Sequence, residues 1–211
     1  DIVSLVKPIT KYAKTVLEPE DIRLELEKAF HLATSGRGGP VWLDIPLDVQ
    51  GAPIDPSKLR PFSPGEARAP AEPLSLAEFQ RLLESSQRPL ILAGHGVRLA
   101  GAGDDLRTVV ERLGIPVVAT WNAMDIFPHD HPLFVGRPGV VATRAPNFAI
   151  QNCDLLISIG SRLDNIITAF NPKGFARAAR KVIVDVDRAE IEKLDMPIEL
   201  KVTANAKDFL R

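Results

Sequence analysis

From about residue 74 onward the chain repeats one pattern, a short run of continuous apolar residues followed by a stretch with helical spacing. The runs are LILA ending at Ala93, PVVAT, DLLISIG, KVIVDVD and a last one near Ile198 to Thr203. Helical spacing falls near Leu76 to Glu84, Asp104 to Leu113, Asn147 to Asn152, Phe175 to Ala179 and just after Arg188. A strand covered on both faces needs unbroken hydrophobicity, whereas a strand with one wet face would alternate. Strands separated by helices predict an α/β fold, doubly wound around a mainly parallel, six-stranded sheet of Rossmann-like type.

The chain upstream is organised differently. Residues 1–50 contain one clear helix, Pro19 to Thr34, in which Ile22, Leu26, Ala29, Phe30 and Ala33 form an apolar stripe, and one strand, Val41 to Ile45. One helix and one strand cannot close a core, so this is a partial N-terminal α/β segment, a remnant of another domain or an arm. Residues 51–73 hold Pro53, Pro56, Pro61, Pro64, Pro70 and Pro73, which prevents regular structure and predicts a semi-rigid linker. Residues 74–211 then form the central body. The chain begins at Asp1 and ends in AKDFLR, the first turns of a helix, so both ends read as cut from something longer.

Bulk chemistry excludes several partners. With 45% hydrophobic and 25% charged residues and a formal charge of −1, there is no basic excess to suit nucleic acid. No apolar run reaches the ~18 residues of a membrane span. The single cysteine, Cys153, cannot form an internal disulfide and reads as a small buried thiol in a cytoplasmic chain.

In an open parallel sheet, ligands lie beyond the carboxyl ends of the strands, where strand order reverses. Those ends read Gly94-His95-Gly96, Thr120-Trp121-Asn122, Gly160-Ser161-Arg162 and Asp185-Val186-Asp187. Gly94 and Gly96 open like a dinucleotide fingerprint, but its third glycine would fall at Leu99, so a tight packing turn and a phosphate or ribose approach both remain open. Arg162 could fork onto a phosphate or pair with Asp164 or Asp185. Asp187 and Glu190 fit a capping box, which leaves Asp185 as the acid for a ribose or adenine edge. Gly136 to Gly139 lead through Thr143 and Arg144 to a helix around Pro146, whose start, aided by Arg144, could receive an anion or be a plain loop entry. His129-Asp130-His131 carries metal-binding atoms, yet its flanking prolines and lack of further clustered ligands predict a surface turn and no metal site. No nucleophile elbow or phosphate-binding lysine loop occurs, so no catalytic residue is assigned.

These residues resemble a family. Lys7-Pro8-Ile9-Thr10-Lys11 and Gly39-Pro40-Val41-Trp42-Leu43-Asp44-Ile45-Pro46 resemble the end of the pyrimidine-binding domain of thiamine-diphosphate-dependent enzymes of the acetolactate synthase type. Gly114-Ile115-Pro116-Val117, Asp154-Leu155-Leu156-Ile157, Gly160-Ser161-Arg162-Leu163-Asp164 and Asp185-Val186-Asp187 resemble that family's central domain. The resemblance implies a parent transferase or lyase in which thiamine diphosphate and Mg2+ act on a 2-oxo acid. Their main ligands would lie in missing domains of the parent chain, so this chain alone is expected to be inactive. It also implies a homodimer or homotetramer. FAD or ADP would sit on the central-domain rim near Gly94, Gly96, Gly136, Arg144, Gly160, Arg162, Asp164 and Asp185. The family pattern has a second acid and an arginine where this chain has Asn165 and Ile166, and a histidine where it has Pro138. A free-standing nucleotide-binding module and a purely structural, subunit-contact domain are the alternatives.

Overall fold

The computed structural model describes residues 1–65 and 75–211, so the end of the expected linker lies outside the described residues. The chain divides into two compact units, Asp1–Ala69 and Pro70–Arg211.

The first unit begins with α1 (Ile2–Val6), whose N-terminus is capped by the Asp1 carboxylate. A strand not foreseen from the sequence, β1 (Tyr12–Thr15), precedes α2 (Ile22–Thr34), whose first turn is prefaced by a 3-10 turn at Pro19–Asp21. β2 (Val41–Asp44) pairs parallel with β1, Tyr12 opposite Val41 and Thr15 opposite Asp44, and α3 (Leu47–Gly51) follows. The Lys11 ammonium ties the return turn by donating to the carbonyls of Ser35 and Arg37 at 2.8 and 2.9 Å. Residues after Pro53 fold back on α2. Arg60 pairs with Asp21 at 2.5 Å, the Phe62 amide donates to Glu27, and the Phe62 ring lies 5.4 Å from His31.

The expected apolar stripe of α2 is only partly covered within this unit, at Ala29. Among the described residues of the unit only Val16, Glu25 and Ala29 are buried, while Leu26 and Phe30, one turn apart, are exposed. The helix turns Glu25 inward because Tyr12 and Lys14 on β1 both donate to its carboxylate at 2.5 Å. Charge pairing, more than apolar contact, fixes that face.

The second unit starts with α4 (Leu76–Glu84), capped by Ser75, and β3 (Pro89–Ala93). Then come α5 (His95–Leu99), α6 (Gly103–Leu113), β4 (Val117–Ala119) and β5 (Phe134–Gly136). They are followed by α7 (Arg144–Asn152), β6 (Leu155–Ile159), α8 (Asn165–Thr168), β7 (Arg180–Asp185), α9 (Arg188–Glu192), β8 (Leu200–Thr203) and α10 (Ala206–Leu210). The sheet has six strands in the order β5-β4-β3-β6-β7-β8, and every neighbouring pair is parallel. It is the doubly wound sheet expected, with β5 as the strand that the sequence pattern did not reveal. The expected helix at Phe175 to Ala179 is instead a 3-10 turn, Pro172–Gly174, followed by Ala176 at φ 46°, outside the helical region.

Alternating side chains divide the core. Ile91 and Ala93 of β3 and Leu155, Ile157 and Ile159 of β6 face a cluster completed by Leu82 of α4, Val97 of α5, Leu106 and Val110 of α6 and Ala206 of α10. Leu90, Leu92 and Leu156 face the other layer, with Ile150 of α7, Ile167 of α8 and Ile191 of α9. Each fully buried Leu or Ile contributes ~1.5–3 kcal/mol, and helices on both faces explain why these strands read as unbroken apolar runs.

The segment after β6 carries unusual backbone. Leu163, Ala169, Phe170 and Ala176 all have positive φ, between 46° and 58°, although none is glycine. A left-handed L-residue costs ~1–2 kcal/mol, so the surrounding packing holds this segment against its local preference.

Candidate functional site

Strand order reverses between β3 and β6, so the carboxyl ends of these two strands mark the place where an open parallel sheet takes a ligand. Gly94, Gly96 and Gly160 meet there. The Gly96 amide donates to the Gly160 carbonyl at 2.9 Å and the Gly94 amide to the Ile159 carbonyl at 2.9 Å. A Cβ at Gly96 would stand 2.7 Å from the Gly160 Cα. These glycines therefore serve the tight-packing role that the sequence left open, because the two turns touch backbone to backbone.

The remaining expected site residues flank this knot. Asp185 ends β7, is 9% exposed, and accepts the Asp187 amide at 2.9 Å. Asp164 caps α8, its carboxylate accepting from the amides of Ile166 and Ile167 at 3.0 and 3.1 Å. Arg162 pairs with neither Asp164 nor Asp185, as the sequence had suggested. Its Nε lies 3.2 Å from the Glu190 carboxylate, which Lys193 also engages. Asp187 does cap α9, accepting the Ala189 amide at 3.0 Å, but the Glu190 side chain turns to Arg162 and Lys193 in place of the expected reach back across the helix start.

Gly136 ends β5, and the loop after it is fixed by Asn147, which both donates to the Gly139 carbonyl and accepts the Gly139 amide. The Val140 amide donates to the Ile166 carbonyl at 2.9 Å, joining this loop to α8. Arg144, the first residue of α7, lays its guanidinium 5.4 Å from the centre of the Phe148 ring. Beyond the ends of β4 and β5 lies an open hollow of about 760 Å³ walled by Trp121, Met124, Phe134, Arg137, Val141 and Thr143 among others. Trp121 was on the rim by the strand-end rule, but Met124 and Phe134 could not be placed without β5.

Other candidate residues have local roles. The His131 ring packs 5.2 Å from Phe127, with Nε2 3.3 Å from Glu111. Cys153 is buried and donates to the Ile150 carbonyl, and burial pushes its thiol up to about 11. Lys181, 3% exposed, donates to the Ala179 carbonyl, and burial pulls its ammonium down. Among the described residues no group of three or more His, Cys, Asp or Glu could hold a metal ion, and no helix is long and apolar enough to cross a membrane.

A six-stranded parallel sheet with helices on both faces and its loops gathered at a switch point defines a Rossmann-like domain. Residues 76–211 match the family described as thiamine pyrophosphate enzyme, central domain, and the chain belongs to that family. The probable acetolactate synthase large subunit of Methanocaldococcus jannaschii is 38% identical over 216 residues, covering 100% of this chain and 36% of that protein. The large subunit of Corynebacterium glutamicum is 38% identical, covering 100% and 34%, and the chloroplastic acetolactate synthase 1 of Zea mays is 39% identical, covering 98% and 32%. The chain thus spans about a third of the length of the curated relatives it matches.

Proposed function

We propose that the chain is the end of the pyrimidine-binding domain plus the central domain of a thiamine-diphosphate-dependent, acetolactate synthase-like enzyme acting on 2-oxo acids. The observation that carries this reading is 38% identity to an acetolactate synthase large subunit along 100% of the chain. The chain's part is that of a scaffold, joining the segment that carries Lys11 to the Rossmann-like body. Thiamine diphosphate, once bound with Mg2+ to the other domains, supplies the carbanion chemistry. The rim at the switch point is where FAD or ADP would lie on this reading. The whole enzyme works in the cytoplasm as a homodimer or homotetramer.

A subunit-contact role has its own support in the first unit, where Phe30 is 73% and Leu47 83% exposed. Apolar side chains so open to water suit a surface that another part of the assembly covers.

The test is carbon dioxide release from pyruvate with thiamine diphosphate and Mg2+. The 211-residue chain is expected to give none, while the reading frame extended at both ends is expected to turn over. Thiamine-dependent release by the 211-residue chain itself overturns the scaffold reading. A reading frame with no further domain on either side of these 211 residues overturns the parent.

A further inference from the structure

We propose that a cleft at the amino ends of the strands, on the side of the second unit away from the switch point, binds a free α-amino acid. The cleft has a volume of about 560 Å³ and lies where the last turns of α4 meet the starts of β7 and β8. The strand-end rule that locates the rim says nothing of this end, and the proposal does not depend on the activity assigned to the parent.

The cleft holds opposite charges that do not meet. Arg180, half-buried at the first position of β7, turns one end of its guanidinium to the protein, where Nη2 donates to the Leu82 carbonyl at 3.3 Å and to Ser85 Oγ at 2.8 Å. Ser85 is itself held, its hydroxyl donating to the Arg81 carbonyl at 2.7 Å, so the direction of the fork is fixed. Among the described residues no carboxylate pairs with Arg180, although Glu78 of α4 and Glu199, just before β8, line the same cleft. The side chains of these two acids have no partner among the described residues either. Arg81 is turned back on its own helix, its Nε donating to the Ala77 carbonyl at 3.3 Å.

A fork fixed apart from two acids selects a ligand by the charges it must carry. A simple anion that reaches Arg180 also meets Glu78 and Glu199, and a simple cation that reaches those acids also meets Arg180 and Arg81. A zwitterion satisfies both signs. Its carboxylate takes the free N–H groups of Arg180 and its ammonium takes Glu78 or Glu199, each contact a charge-assisted hydrogen bond. The base of the cleft is the apolar Leu82, which suits a short aliphatic side chain.

The experiment titrates the 15N-labelled 211-residue chain with L-alanine, with acetate and with methylammonium, following amide shifts by NMR. L-alanine is expected to give saturable shifts centred on Ser85, Arg180 and Glu199, with a Kd on the order of 1–10 mM, and each single-charge probe is expected to bind at least about tenfold more weakly. Arg180→Lys, which keeps the charge and loses the fork, is expected to weaken L-alanine binding about tenfold, and so is the double variant Glu78→Gln, Glu199→Gln. Thermal unfolding checks that the variants are folded, and the single-charge probes test the proposal on the unmodified chain. The absence of saturable shifts at these amides up to about 100 mM L-alanine overturns the proposal. Acetate or methylammonium binding as tightly as L-alanine overturns it too, as do folded variants that bind L-alanine unchanged.

Discussion

Gly94 and Gly160 are so closely apposed that a Cβ on Gly94 would stand 2.2 Å from the Gly160 carbonyl oxygen and 2.5 Å from the Ser161 Cα. The contact joins the turn after β3 to the turn after β6, the two central strands, and all the atoms it would displace are backbone. Gly94→Ala is therefore expected to destabilise the second unit by at least ~3 kcal/mol, the upper range for overpacking, and to lower its thermal midpoint by ~6–12 °C. Gly51→Ala, where nothing lies within 4 Å, is the control and should leave the midpoint unchanged or slightly raised. Scanning calorimetry of both variants decides.

Glu25 is 2% exposed and joins α2 to β1 through Tyr12 and Lys14. Burial alone would raise its carboxyl, but hydrogen bonds from Lys14 and Tyr12, aided by the charges of Lys14 and Lys28, bring the net direction below 4.5. A lowered folded pKa means that this stability is present above the unfolded value and is lost as pH falls through the folded one. Glu25→Ala is expected to cost ~1–3 kcal/mol in the first unit, since it leaves the half-buried Tyr12 phenol without its acceptor, while Lys14 is partly rescued by water. Glu25→Gln is expected to flatten the acid limb of unfolding below about pH 4.5, followed by circular dichroism.

Cys153 offers a kinetic probe of the second core layer. With its thiol pushed up to about 11 by burial, the thiolate at pH 8 is about a hundredfold scarcer than for an exposed cysteine, and the side chain is sealed as well. Alkylation by iodoacetamide is expected to run at least ~100-fold slower in the native chain than in denaturant. Equal rates would mean that α7 does not stay packed on β6.

Ser158, the fourth of the five residues of β6, is 0% exposed, and its hydroxyl has no hydrogen-bond partner among the described residues. An unsatisfied buried polar group costs ~1–3 kcal/mol. Ser158→Ala is accordingly expected to raise stability by ~1 kcal/mol in a urea titration at unchanged slope.

The sheet was legible because its physics is local. Runs such as Leu155–Ile159 are apolar throughout because helices cover both faces, and that needs no knowledge of partners. β1 was not, since the polar Tyr12 and Lys14 join a strand only once β2 pairs beside them and Glu25 accepts their donors, and β5 is a short run close behind Pro128 and Pro132, in a stretch that reads as a turn. Of the rim, the strand-end rule collected Gly94, Gly160, Arg162 and Asp185, but not the identity of the carboxylate on Arg162. Glu190 looked committed to its own helix, and only the fold brings it across from α9. Phe175 to Ala179 misled for the opposite reason, because helix-forming alanines there give way to a turn that buries Phe175.

Strand order also governs how this body is assembled in time. β3 ends up between β4 and β6, yet β6 is translated only after β4, β5 and α7. Until then one edge of β3 has no strand beside it, and its apolar Leu90, Ile91 and Leu92 present an open template for pairing. Synthesis at ~5–20 residues per second leaves that edge open for seconds. The step that joins the two halves of the sheet is the arrival of Leu155–Ile159 beside β3, and a ribosome that pauses before Asp154 lengthens the interval in which two such half-sheets can find each other instead.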